Sequence, residues 1–197
     1  MKLITSLKPV ILSLLLISYA STENEASAQD NGVSAEVVLT EYSDYQCPAC
    51  AYFNPIINSL KQEFGNQLHV EYRFFPLSGH QFGALSARAA QAAKNQGKFK
   101  EMHDMLFDNQ QRWVAGGNPQ PVFINYARKL GLNVDQFKRD LNAAETQRIV
   151  MEDKQKGQEA GVNSTPTFFI NGEKLEQNPP TFEEFKSVIE GYLEEAD

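Results

Sequence analysis

The chain has 197 residues, a formal net charge of −7 and a hydrophobic content of 42%, enough for a packed core. An acidic balance without clustered Lys and Arg argues against a nucleic-acid partner. Its only two cysteines, Cys47 and Cys50, are too few for a domain stapled by several bridges.

The first residues read as an address rather than as fold. Lys2 and Lys8 give a positive start, Val10 to Ile17 is a short apolar run, and Ser18-Tyr19-Ala20 and Ala26-Ser27-Ala28 resemble small-x-small cleavage sites. The pattern predicts a signal peptide over residues 1–28, cut after residue 20 or 28, with an apolar run too short to span a bilayer. No cysteine lies near either site, so a lipid anchor is not indicated. Export would place the thiols in the periplasm or another extracytoplasmic space, where disulfides persist. Cutting at 28 removes Lys2 and Lys8 together with Glu23 and Glu25, leaving the net charge unchanged.

Glu36 to Tyr42 alternates and reads as a central strand. Glu41 is out of place in it: a carboxylate there either faces solvent or pairs with Arg73, or is buried near Cys50 and serves as a proton relay. Cys47-Pro48-Ala49-Cys50 follows, where a helical pattern begins. Two residues between the thiols put Cys50 one turn after Cys47, within reach of a Cys47–Cys50 disulfide. Unpaired N–H groups and the positive end of the helix dipole favour a thiolate at Cys47, the nucleophile of thiol–disulfide exchange. Pro48 suits the first helical position. A bridge closing so short a loop removes little unfolded-chain entropy, so a structural role is a poor account of it. Asp44 reads as the residue that turns the chain into the helix. His69, His80 and His103 lack the paired spacing of a zinc site, so neither a metal nor a cofactor is expected.

Apolar residues from Tyr52 to Phe64 recur at helical spacing, with Pro55 expected to kink the helix. His69 to Phe75 reads as a second, parallel strand. Helical patterns follow over Gly83–Gln96, Lys98–Asn109, Val122–Leu130, Asn133–Leu141 and Ala144–Ala160, with Trp113 to Pro121 read as a loop. Thr165 to Gly172 returns to strand, Asn171-Gly172 signals a hairpin, and Thr181-Phe182-Glu183-Glu184 matches a capping box before a last helix. The pattern gives an α/β domain in two parts, residues 34–80 and 162–197, with a helical subdomain inserted over 81–161.

Cys47-Pro48-Ala49-Cys50 after a strand, Pro55, the helical insertion and Ser164-Thr165-Pro166-Thr167 opening the third strand together resemble the DsbA type of thioredoxin-fold protein. Asp44-Tyr45-Gln46-Cys47 adds to the likeness, which runs from about Val37 to Tyr192. The resemblance implies a thioredoxin fold with an inserted helical subdomain and a cis Thr165-Pro166 peptide facing the cysteines. It also implies substrate contacts at Thr165, Pro166, Pro48 and Ala49, and a buried acid at Glu41. The expected function is a dithiol oxidase acting on unfolded exported proteins with free thiols and recharged by a membrane thiol oxidase, DsbB-like or VKOR-like. Familiar oxidases often carry His where this chain has Ala49. A reductase or isomerase is the alternative within the same chemistry, and a redox-independent peptide-binding chaperone is the alternative outside it.

Overall fold

The computed structural model describes residues 37–196. The leader, both cleavage sites and residues 34–36 at the start of the first domain part lie outside them. Strand β1 (Val37–Ser43) leads to helix α1 (Pro48–Phe64), a 3-10 turn and strand β2 (Leu68–Phe74). Six helices come next: α2 (Gly83–Lys94), α3 (Phe99–Asp108), α4 (Gln110–Ala115), α5 (Gln120–Lys129), α6 (Val134–Asn142) and α7 (Ala144–Glu159). The chain then returns through β3 (Thr167–Ile170), β4 (Glu173–Lys174) and α8 (Phe182–Ala196). The sheet order is β2-β1-β3-β4, with β1 parallel to β2 and antiparallel to β3. This is a mixed α/β thioredoxin-type fold with helices between β2 and β3.

Strand alternation decides which side chains reach the site. Side chains two apart share a face, so Glu41 lies on the side of Val37 and Leu39, which pack with Ile57 and Leu60 of α1 and Phe185 and Ile189 of α8. The other face carries Tyr42, packed with Phe75, Val162 and Phe169. Helix α7 closes over that face at Gly157, where an added Cβ would sit 2.8 Å from the rings of both Phe75 and Tyr42. The inserted helices have their own apolar centre around Met102, Leu106, Trp113, Phe123, Phe137 and Leu141, all fully buried. That centre is continuous with Tyr45, Cys47 and Cys50.

Two expectations need correction. Trp113 to Ala115 is the end of helix α4, not loop, and α5 begins at Gln120, before Val122. The reason is packing. The glycines and prolines after Ala115 suggest an early break, but the buried Trp113 indole donates to the Leu106 carbonyl at 2.7 Å and holds the turn. Helix α1 continues through Pro55 to Phe64. At the far end of the sheet, Asn171 (φ 50°) and Gly172 (φ 87°) make the β3–β4 turn, both in the left-handed region that a tight hairpin requires.

Candidate active site

Helix α1 begins on the cysteine pair. Cys47 is its N-cap (φ −75°, ψ 121°), Pro48 is its first residue, and the first turn contains no acidic side chain to oppose a thiolate. Cys47 keeps 8% of its surface, whereas Cys50 has none. The two sulfurs are not joined in a disulfide in this structure, and Cys47 Sγ lies 3.3 Å from the Thr165 carbonyl oxygen. Thr165-Pro166 is a cis peptide bond lying against Cys47. Pro48 and Ala49 are exposed beside it.

The two thiols are driven apart in acidity. The Cys50 S–H, the Thr165 hydroxyl and the backbone N–H groups of Cys50 and Ala49 stabilise a thiolate at Cys47. They outweigh burial and bring its pKa from 9.0 down to about 5. Cys50 is pushed far up, first by burial, then by donating to Cys47 and by the nearby Glu41 charge. One thiol therefore favours the thiolate and keeps a small exposed edge, and the other favours the protonated form and is enclosed. That asymmetry suits an attacking and leaving sulfur paired with a resolving one.

Glu41 is buried, at 1% exposure, and neither carboxylate oxygen has a hydrogen-bond partner. Burial raises its pKa from 4.5 to about 7, against the weaker pull of the Ser43 hydroxyl and the Lys100 charge. Of the readings open for this residue, both solvent exposure and an Arg73 pair are excluded. Arg73 bonds to Glu71 at 2.7 Å and approaches Asp153 at 3.6 Å. Glu41 instead shares the electrostatic environment of Cys50.

Several residues that the sequence did not mark as functional frame this pair. Asp44 is a buried hub: its carboxylate accepts from Gln46 N–H at 2.7 Å, from Leu77 N–H at 2.8 Å, and faces His80 Nδ1 at 2.8 Å. Its carbonyl accepts Cys47 N–H at 2.9 Å. Asp44 thus turns the chain into α1 and also binds the loop before α2 to the cysteine loop. His103 is neutral and buried, its pKa taken down to about 3 by burial. Asn54 Nδ2 donates to Asp104, so Asn54 Oδ1 accepts from His103 Nε2–H at 3.0 Å. Nδ1 is then left to accept from the Tyr45 hydroxyl at 2.9 Å. Gln110, at the start of α4, donates its amide to the carbonyls of Tyr45 and Cys47, each at 2.8 Å. A groove of about 580 Å³ beside Pro48 runs between the start of α1 and the α3–α4 corner, lined by Tyr52, Phe107 and Arg112 among others. Among the described residues, no cluster of three or more His, Cys, Asp or Glu side chains is arranged to hold a metal.

A family profile described as Thioredoxin matches residues 32–191. The chain belongs to the thioredoxin family. Its fold, with inserted helices between the two halves of the sheet, is like that of DsbA structures. A thioredoxin-like oxidoreductase from Silicibacter pomeroyi DSS-3 superposes with a TM-score of 0.63 at 27% identity, covering 81% of this chain and 86% of that one. Oxidised BdbD from Bacillus subtilis matches at a TM-score of 0.71 and 22% identity, over 83% of this chain and 90% of its own. Wolbachia pipientis alpha-DsbA1 gives 0.72 and 18% over 83% and 88%, a likeness of fold. Among curated sequences, a Mycobacterium sp. (strain KMS) protein named Na(+)/H(+) antiporter NhaA 1 is 37% identical over 145 residues, 71% of this chain. The match takes in 22% of that relative's own length, so this chain spans about a fifth of the curated relatives it matches. Among the described residues no helix is long and apolar enough to cross a membrane.

Proposed function

We propose that this thioredoxin-family protein is an exported dithiol oxidase that passes the Cys47–Cys50 disulfide to folding proteins outside the cytoplasm. The observation that carries the reading is the divergence of the two thiols, Cys47 down to about 5 and Cys50 far up. Whatever stabilises the Cys47 thiolate stabilises the reduced enzyme, and so makes its disulfide the better oxidant. At pH 7, a thiol held at about 5 instead of 9.0 contributes up to about 60 mV to the potential, and solvent at the Cys47 rim reduces that somewhat. The contribution survives the absence of a histidine at Ala49, because its sources are Cys50, Thr165 and the backbone.

In this mechanism a substrate thiolate attacks Cys47 Sγ, the Cys47–Cys50 bond breaks, and a mixed disulfide forms. Cys50 leaves as a thiolate and takes up a proton, for which Glu41, titrating at about 7, is the adjacent donor. A second substrate thiolate then attacks the substrate sulfur of the mixed disulfide and releases Cys47 as the stable thiolate. Two electrons have moved from the substrate dithiol to the enzyme. A membrane thiol oxidase of the DsbB or VKOR kind would remove them. The Thr165 backbone beside Cys47 and the exposed Pro48–Ala49 surface would guide an extended substrate chain, which is a mode of recognition available to unfolded proteins.

The test is trapping. Cys50→Ser should accumulate mixed disulfides with reduced, unfolded substrates, and Cys47→Ser should form none and lose exchange. Oxidation of substrate by Cys47→Ser at the wild-type rate would overturn the assignment.

A further inference from the structure

The carbonyls of Tyr45 and Cys47 belong to the loop that carries the reactive sulfur, both residues being buried, and carbonyls left unpaired there would work against a thiolate. Both are bonded by one side-chain amide from the inserted helices. Gln110 is 7% exposed, and its Nε2 lies 2.8 Å from each oxygen, across 65 and 63 residues of sequence. The Cys47 carbonyl also accepts the Ala51 N–H at 3.2 Å, the first bond of α1. Fixing this carbonyl fixes the peptide plane from which the first turn springs, and with it the Ala49 and Cys50 N–H groups that face Sγ. Gln110 is itself firmly aimed. Trp113, one turn further along α4, has no exposed surface, is bonded through its indole to Leu106, and packs edge-on against Phe123 with ring centroids 5.3 Å apart.

We infer that Gln110 is a positioning residue for the Cys47 thiolate, and that through it the inserted helices set the reactivity of the redox pair. The amide does so in two ways. Its hydrogens offset the negative ends of two carbonyl dipoles in the loop that bears the sulfur, and its two hydrogen bonds to that loop keep the N–H groups of the first turn directed at Sγ. An ordinary structural glutamine would stabilise the fold and leave the thiol's acidity alone. The inference rests on Cys47 being the reactive thiol, but not on the direction of electron flow.

The test is the titration of the reduced protein. Gln110→Met keeps the length of the side chain and removes the donor; Gln110→Ala removes both. Thiolate absorbance and the rate of Cys47 alkylation are followed against pH, with urea unfolding as a separate readout. Both variants should titrate at higher pH than wild type, with alkylation below about pH 5 slowed about three- to tenfold, the effect of a rise of half to one pKa unit. If Gln110→Ala does not fold, the volume-conserving Gln110→Met carries the test. Variants that lose stability in urea while titrating and alkylating like wild type would show Gln110 to be structural only. A wild-type protein without an acidic thiol would instead remove the reading of the site itself, before any variant is considered.

Discussion

Replacing Glu41 by Gln should remove one definable part of the protein's pH-dependent stability. The carboxyl is buried at 1% exposure with no bonded donor, and burial lifts its pKa from 4.5 to about 7. The native state therefore holds a proton that the unfolded chain releases between those values. By linkage, stability falls as pH rises from 4.5 through about 7 and levels off above. Holding a carboxyl at about 7 instead of 4.5 costs about 3 kcal/mol once it is ionised, and full burial leaves no solvent screening to discount. The groups that set this pKa are the surrounding burial, Ser43 and Lys100, none of them a cysteine, so the oxidised protein can be used. That choice removes the Cys47 thiol, whose own ionisation runs with the opposite sign. Urea unfolding of oxidised wild type at about pH 5 and about pH 8 should differ by roughly 2.5 kcal/mol more than the same pair in Glu41→Gln. An equal pH dependence in the two proteins would refute the argument, because it would mean that the buried carboxyl is solvated or paired.

Three further outcomes are expected. In the reduced protein the Cys47 pKa is depressed to about 5 from 9.0, so its contribution to stability is complete above 9 and is lost as pH falls through 5. Subtracting oxidised from reduced unfolding free energies should therefore give a difference that grows from pH 5 towards 9, and a difference that shrinks would contradict the assigned acidity. Thr165→Val keeps the shape but removes a buried hydroxyl that favours the Cys47 thiolate. Its Cys47 should titrate higher and alkylate more slowly below neutrality, whereas Thr165→Ser should stay near wild type. Gly83→Ala would place a Cβ 2.8 Å from Asp44 Oδ2, a carboxylate already held by Gln46, Leu77 and His80. It should cost about 1–3 kcal/mol in urea unfolding, and a neutral substitution would show that the Asp44 hub can move.

The sequence made the frame readable where local chemistry decides structure. Alternation along Val37 to Tyr42, Pro48 at the first helical position, and Asn171-Gly172 at the hairpin each have one dominant physical reading, and the described elements follow them. Glu41 stood out because a carboxylate in an apolar strand needs a reason. The surroundings of the pair were not legible, because their partners lie far away in sequence. Gln110 follows Asn109 with no periodic or motif signal, and its acceptors are at 45 and 47. His103 is a polar residue of α3 with no local signal of burial, yet it is enclosed by Tyr45, Tyr72, Phe99 and Phe107. Asp44 could be read as a turn residue from its place before the helix, but nothing local announces that its side chain binds the loop at Leu77 and His80. Trp113 was misplaced for a related reason: glycine and proline downstream are visible in the sequence, while the cavity that accepts the indole is not.

The central claim is that the Cys47–Cys50 disulfide is a donor. Its equilibrium with glutathione, read by trapping the free thiols, tests that most directly. The stabilised Cys47 thiolate predicts a potential well above the roughly −270 mV of thioredoxin, with the reduced form favoured in ordinary glutathione buffers. A value at or below thioredoxin's would contradict the account and leave the pair a reductant.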